Sequence, residues 1–237
     1  MSSELHKPFF DHLEELRIRI IKSIFSIFVC TAIGYVFSDN IIELLILPVE
    51  NIDVSFQVLK ITSIFLIKIG ISLVFGLFLS FPIMIYQFLK FILPAFEGKI
   101  HYTKILLIVF SCFILFVIGL FFGYFVLIPL SITFFSSLSI NLNSISVNYT
   151  LENYLVYLIW ILVISSSIFQ LPFIIMLLNR LGIINREYLQ NHRKHIIVLF
   201  FIIAAFFTPP DPISQILVVV PLYILFEISI LLTQKIK

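Results

Sequence analysis

Apolar residues run in long unbroken stretches along this chain, with polar residues only as punctuation. The stretches predict six helices: roughly Ile21 to Phe37, Ile64 to Leu89, Ile105 to Ile128, Tyr154 to Leu178, Ile196 to Phe207 and Ile216 to Leu232. Helices follow rather than barrel strands, because a strand in a barrel alternates polar and apolar positions with period two. The fifth run would rise only about 18 Å against a hydrocarbon core of roughly 30 Å. The sixth is also short, whereas the second, third and fourth are long enough to tilt. The expected architecture is an all-α, integral membrane, six-helix cupped bundle whose edge at helices five and six pinches the bilayer. Residues 1–20 form an amphipathic segment ahead of the first run, with Glu4, Asp11, Glu14, Glu15, Arg17 and Arg19, and no small-residue cleavage site follows that run. No removable signal peptide is expected, and residues 1–237 are expected to form one transmembrane domain.

Composition supports the same class. AVILMFWYC make up 61% of the chain and charged residues 12%, with a mean hydropathy of +1.16. Twenty-eight Phe and only seven Gly leave no polar shell for a soluble globule. A net charge of +2 gives no reason to expect a nucleic-acid partner. Cys30 and Cys112 lie within apolar runs and read as small core residues rather than a disulfide or metal site.

Lys and Arg set the orientation. Thirteen of the fifteen fall on one side: Lys7, Arg17, Arg19, Lys22, Lys90, Lys99, Lys104, Arg180, Arg186, Arg193, Lys194, Lys235 and Lys237. Lys60 and Lys68 fall on the other or just inside it. With six spans, the positive-inside rule makes both termini cytoplasmic. The outer loops are then Asp39 to Ser63, Pro129 to Asn153 and Thr208 to Ser214.

The polar residues that so apolar a chain retains are its candidate chemistry. Glu15 and Arg19 stand four apart on one face of the N-terminal segment, with Leu13, Leu16 and Ile20 on another. This suits either a carboxylate offered to a cationic guest at the membrane surface or an interfacial helix with solvated charges, and spacing alone leans to the second. Lys68 is near enough to the outer surface to snorkel. Glu227 sits deeper in the sixth run, where burial favours a protonated donor, and no partner is evident in its own helix. Pro82, Pro172 and Pro221 interrupt apolar runs and free backbone carbonyls. Gly119 and Gly123 form a small-xxx-small pair expected to pack against a helix of the same chain. Thr208-Pro209-Pro210-Asp211-Pro212 is a rigid turn in which Asp211 can cap the sixth helix, and Thr208 with Gln215 gives a polar cluster at its outer end. The chain carries no phosphate loop, His-Glu-x-x-His or Gly-x-Ser-x-Gly motif, so neither an enzyme nor a cofactor is expected. A solute transporter is the alternative function, with proline-broken helices as a weak pointer.

Taken in order, several short segments resemble the TatC family, the polytopic core of the twin-arginine protein translocase. They are His12-Leu13-Glu14-Glu15-Leu16-Arg17-Ile18-Arg19, Pro48, Ile67-Lys68, Ser80-Phe81-Pro82 through Tyr86-Gln87 to Leu93-Pro94-Ala95, Gly119 to Tyr124, Phe169-Gln170-Leu171-Pro172, and Thr208-Pro209-Pro210-Asp211 through Ser214-Gln215 to Phe226-Glu227. The resemblance implies a receptor that binds twin-arginine signal peptides on its cytoplasmic face. It also implies assembly with single-span TatA/TatB-type proteins and other copies of itself, to pass folded cargo across a bacterial cytoplasmic membrane or, alternatively, a thylakoid or mitochondrial inner membrane. Glu15 matches the family's signal-peptide carboxylate, and a carboxylate suits a guanidinium because it accepts two parallel hydrogen bonds. Arg17 and Arg19 belong to the same segment, Arg17 more as a positioning residue than as a contact. The family's second acceptor, a Glu in the first cytoplasmic loop, falls near Ile100 here, and Glu97 is the available acid. Thr208 and Gln215 match the family's site for partner helices, with Asp211 and Glu227 grouped beside them. Lys68, Gln170 and Pro48 are expected as structural or gating polar positions, Gln170 standing where many members have Glu.

Overall fold

The structure is a computed structural model that describes residues 7–49, 56–97, 102–140, 149–207 and 212–233. The first helix, α1 (Lys7–Val36), is 30 residues long and carries the N-terminal charged segment straight into the first apolar run. The chain then bends by 75° into α2 (Ser38–Ile46), followed by a 3-10 turn at Leu47–Val49. Next come α3 (Ser63–Glu97) and α4 (Tyr102–Phe122), then a π-helical turn over Gly123–Leu127, then α5 (Ile128–Ile140). Helices α6 (Leu151–Ile168) and α7 (Leu171–Arg180) follow. The short α8 (Arg186–Asn191), α9 (Arg193–Phe207) and α10 (Pro212–Leu232) complete the order.

All six predicted segments lie on these helices, and the chain is a multi-pass, all-α membrane protein. Among the described residues, α3, the α4–α5 run, the α6–α7 run and α10 are long and apolar enough to cross a bilayer, and the bent α1–α2 pair makes a fifth candidate. Helix α9 has 15 residues and rises about 22 Å, below a full crossing. A two-residue parallel pairing, β1 (Phe56–Gln57) with β2 (Tyr149–Thr150), is the one strand pairing among the described residues.

Three expectations are corrected. The segment Asp39 to Ser63 is not all loop, because its first part folds as α2. The segment from Pro129 is helical to Ile140. Pro129 lies just after the π-helical turn, inside one continuous helical run from Tyr102 to Ser136, so the wider turn falls where the proline removes a helical N–H. The hydroxyls that make this stretch look polar turn back on the helix: Ser131 donates to Leu127 O at 2.8 Å and Thr133 to Pro129 O at 2.9 Å. Nor do Pro82 and Pro221 break their helices, since α3 and α10 continue through them. Of the three prolines, Pro172 is the one beside a break, following Phe169-Gln170 at the start of α7.

Packing divides the chain into two compact units, the described parts of Met1–Leu44 with Thr62–Ile114 and of Leu45–Ile61 with Leu115–Lys237. In the first, α1 and α3 approach so closely that a Cβ on Gly76 would meet the Thr31 backbone nitrogen at 2.7 Å, and one on Gly34 the Ser72 carbonyl at 3.1 Å. Glycine is what lets the two backbones pack. In the second, Phe226, Phe200 and Ala204 are buried where α9 meets α10. Tyr154 is fixed at the start of α6 by its hydroxyl, which donates to Leu45 O at 2.7 Å, and by Phe56, whose ring centroid lies 4.8 Å away.

Candidate functional site

The N-terminal turns of α1 present Glu15 within a small charged cluster. Its Oε1 accepts from two nitrogens of Arg19, one turn on: Nε at 3.1 Å and Nη2. The Arg19 side chain is only 13% exposed and Glu15 45%, so the arginine is largely packed away while the carboxylate remains half open. Oε2 faces His12, whose Nδ1 lies 3.9 Å away, too far for a hydrogen bond. The His12 ring in turn stacks on Phe91 of α3, with centroids 4.3 Å apart and planes 15° from parallel. Arg17 is exposed and makes no described contact with Glu15. Glu97 is the last residue of α3, six after Phe91. What this arrangement offers is an anionic acceptor with one oxygen spent inside the chain and one turned outward.

The other predicted polar residues divide between own-chain pairs and backbone contacts. Lys68 does not simply snorkel: its Nζ lies 2.7 Å from Asp39 Oδ1, because the bend after α1 brings the first turn of α2 beside α3. Pro48, half-buried, lies in the 3-10 turn that follows α2. Glu227 has a partner in its own helix and another on α9. It accepts from Tyr223 Oη at 2.8 Å, one turn back, and from Arg193 Nη2 at 2.9 Å across to α9. Gln215 donates from Nε2 to Phe201 O at 3.0 Å, tying α10 to α9. Thr208 and Asp211 lie outside the described residues, so the proposed cap and the Thr208–Gln215 cluster are not described. Gln170 is buried at the break between α6 and α7.

The Gly119–Gly123 pair packs within its own chain as expected. A Cβ on Gly119 would come within 2.8 Å of Ser166 Cα, and one on Gly123 within 3.1 Å of Ser165 Cβ. Neither Cys30 nor Cys112 is in a disulfide. No group of three or more metal-ligating side chains occurs among the described residues. His192 is engaged with Tyr188, stacking at 4.1 Å and placing Nδ1 2.8 Å from the Tyr188 carbonyl.

Sequence reasoning missed four partners: His12 beside Glu15, Asp39 beside Lys68, and Arg193 and Tyr223 around Glu227. Two of these had a local signal, His12 at i−3 from Glu15 and Tyr223 at i−4 from Glu227, both helical neighbours. The other two depend on a bend or on helix packing and leave no mark at fixed spacing.

Comparison with known proteins accords with this architecture. The family model for Sec-independent protein translocase protein (TatC) matches residues 11–221. The TatC of Desulforapulum autotrophicum is 32% identical over 235 residues, covering 98% of this chain and 86% of that protein. The Aquifex aeolicus TatC is 32% identical over 227 residues, covering 95% and 94%. A crystal structure of the twin-arginine translocase receptor TatC in DDM superposes with a TM-score of 0.79 at 31% identity, covering 94% of this chain and 99% of that one. With a family match over most of its length and relatives aligned nearly end to end, this chain belongs to the TatC family.

Proposed function

We propose that this protein is the receptor and core subunit of a twin-arginine translocase: it is not an enzyme, and it binds twin-arginine signal peptides through Glu15. The observation that carries the reading is the half-open Glu15 carboxylate at the start of α1, with Oε2 outside its pair with Arg19. A guanidinium is the cation best matched to such an acceptor, because its N–H groups lie in a plane and can engage two acceptors at once. Positive-inside loops put this face in the cytoplasm, and a bacterial cytoplasmic membrane is the proposed location. Glu97 supplies the acceptor for the other arginine of the pair. The short α9, with α10 beside it, is the docking edge for single-span TatA/TatB-type partners, with Gln215, Thr208, Asp211 and Glu227 as its polar positions, and further copies of the chain complete the complex.

Photo-crosslinking a twin-arginine signal peptide to the protein in native-like membranes, with partner proteins present, tests the reading. Crosslinks should fall when Arg-Arg becomes Lys-Lys and when Glu15 becomes Ala, the latter by about tenfold to a hundredfold in affinity. Crosslinking indifferent to both changes would overturn it.

A further inference from the structure

We propose that His12 is a second acceptor for the guanidinium held by Glu15, so that one arginine is gripped by a carboxylate oxygen and an imidazole nitrogen together. The inference rests on the reading of Glu15 as a signal-peptide acceptor and names how that site selects arginine.

The argument starts from what Glu15 has left to offer. A lone carboxylate would take a guanidinium as a fork, with both oxygens accepting. Here Oε1 already accepts from Nε and Nη2 of Arg19. Arg19 is 13% exposed, so turning it out to free that oxygen would expose a packed side chain. A guest therefore meets Oε2, and the other half of its fork needs a different acceptor. His12 Nδ1 lies 3.9 Å from Oε2. That separation is too long for the two groups to satisfy each other, yet it lies within the reach of two N–H groups of one guanidinium. In the tautomer with its proton on Nε2, His12 Nδ1 is an acceptor. The ring is also held in place, because it stacks on Phe91 of α3 at 4.3 Å, while its side chain stays 48% exposed to an arriving ligand. A lysine ammonium can also divide two of its three donors between Oε2 and Nδ1, but it is the more strongly hydrated cation and presents them from one nitrogen on a flexible stem, whereas the guanidinium offers two nitrogens from a preorganised fork. Glu15 then supplies attraction for any cation, and His12 supplies the preference for arginine.

The test measures affinities of an Arg-Arg and a Lys-Lys signal peptide for the purified full-length protein in lipid nanodiscs. The variants are His12→Leu, His12→Asn and Glu15→Ala, each checked for a native elution profile and helical content. His12→Leu should weaken Arg-Arg binding by about tenfold and Lys-Lys binding by clearly less, narrowing the ratio between them. His12→Asn, whose amide oxygen can occupy the place of Nδ1, should restore most of the lost affinity. If Glu15→Ala weakens binding while His12→Leu does not, His12 is no acceptor and this inference fails alone. Equal losses for Leu and Asn, or equal losses for the two peptides, would reduce His12 to a packing residue and likewise overturn it. If Glu15→Ala changes nothing, the receptor reading itself fails.

Discussion

Ser165 on α6 donates its hydroxyl hydrogen to the Gly119 carbonyl on α4 at 2.6 Å, a buried bond between residues 46 apart in sequence. The contact sits one turn before the π-helical turn at Gly123–Leu127, and Gly123 faces the same serine. Two glycines one turn apart remove the side chains that would separate the helices, and the serine then reaches backbone directly. Within hydrocarbon no water competes for that carbonyl, so a small residue and a hydroxyl do together what a large apolar side chain does in a soluble core.

The glycines of this fold should therefore differ sharply in tolerance. Gly119→Ala places a Cβ 2.8 Å from Ser166 Cα and 3.0 Å from Ser165 O, both backbone atoms that cannot swing aside. It should lower stability by roughly 1 to 3 kcal/mol as an overpacking change. Gly70, in α3, has nothing within 4 Å of a built Cβ, and Gly70→Ala should be neutral or stabilise by up to about 1 kcal/mol through helix propensity. Unfolding midpoints of the two variants in the same detergent check this, and equal shifts would contradict it.

The Arg193–Glu227 pair joins α9 to α10 at 2.9 Å, with side chains 43% and 29% exposed. Partial exposure limits its worth, and a double-mutant cycle with Arg193→Gln and Glu227→Gln should give a coupling of about 1 kcal/mol or less. Tyr223 gives Glu227 a second donor in the same helix, so Tyr223→Phe should raise the cost of Arg193→Gln. Additive effects in all three variants would show that the carboxylate does not depend on these donors.

How far the sequence could carry the fold follows from the same residues. The apolar runs located helical segments because hydrocarbon thickness and backbone satisfaction leave so few alternatives. The glycine pair at 119 and 123 signalled a close contact by spacing alone. What could not be read was direction: the 75° turn that makes α2 from a supposed loop leaves no mark at fixed spacing, and it creates the Lys68–Asp39 pair. The helix after Pro129 was hidden because Ser131, Thr133 and Ser136 look like loop residues until their hydroxyls are seen bonded within the helix. At the site, the motif around Glu15 was legible as a segment, whereas the stacking of His12 on Phe91 joins residues from two helices and has no local trace.

The proposed role of Glu97 as an acceptor can be tested without assuming the answer. Ile100 stands where a glutamate is expected, and Glu97 ends α3. A carboxylate at a helix C-terminus faces the negative end of the helix dipole and is destabilised there by about 0.3 to 1 kcal/mol. An arriving guanidinium relieves that repulsion, so the position suits a cation-binding acid better than a structural one. Glu97→Gln should accordingly weaken twin-arginine peptide binding several-fold, roughly 1 kcal/mol, while leaving thermal stability unchanged or slightly raised. Adding Ile100→Glu to Glu97→Gln should recover the lost affinity, since it returns an acid to the usual place in the loop. Peptide affinity and melting temperature measured on both variants decide the matter: a Glu97→Gln protein that binds like wild type would remove this residue from the site, and recovery by Ile100→Glu would show that the loop tolerates either register.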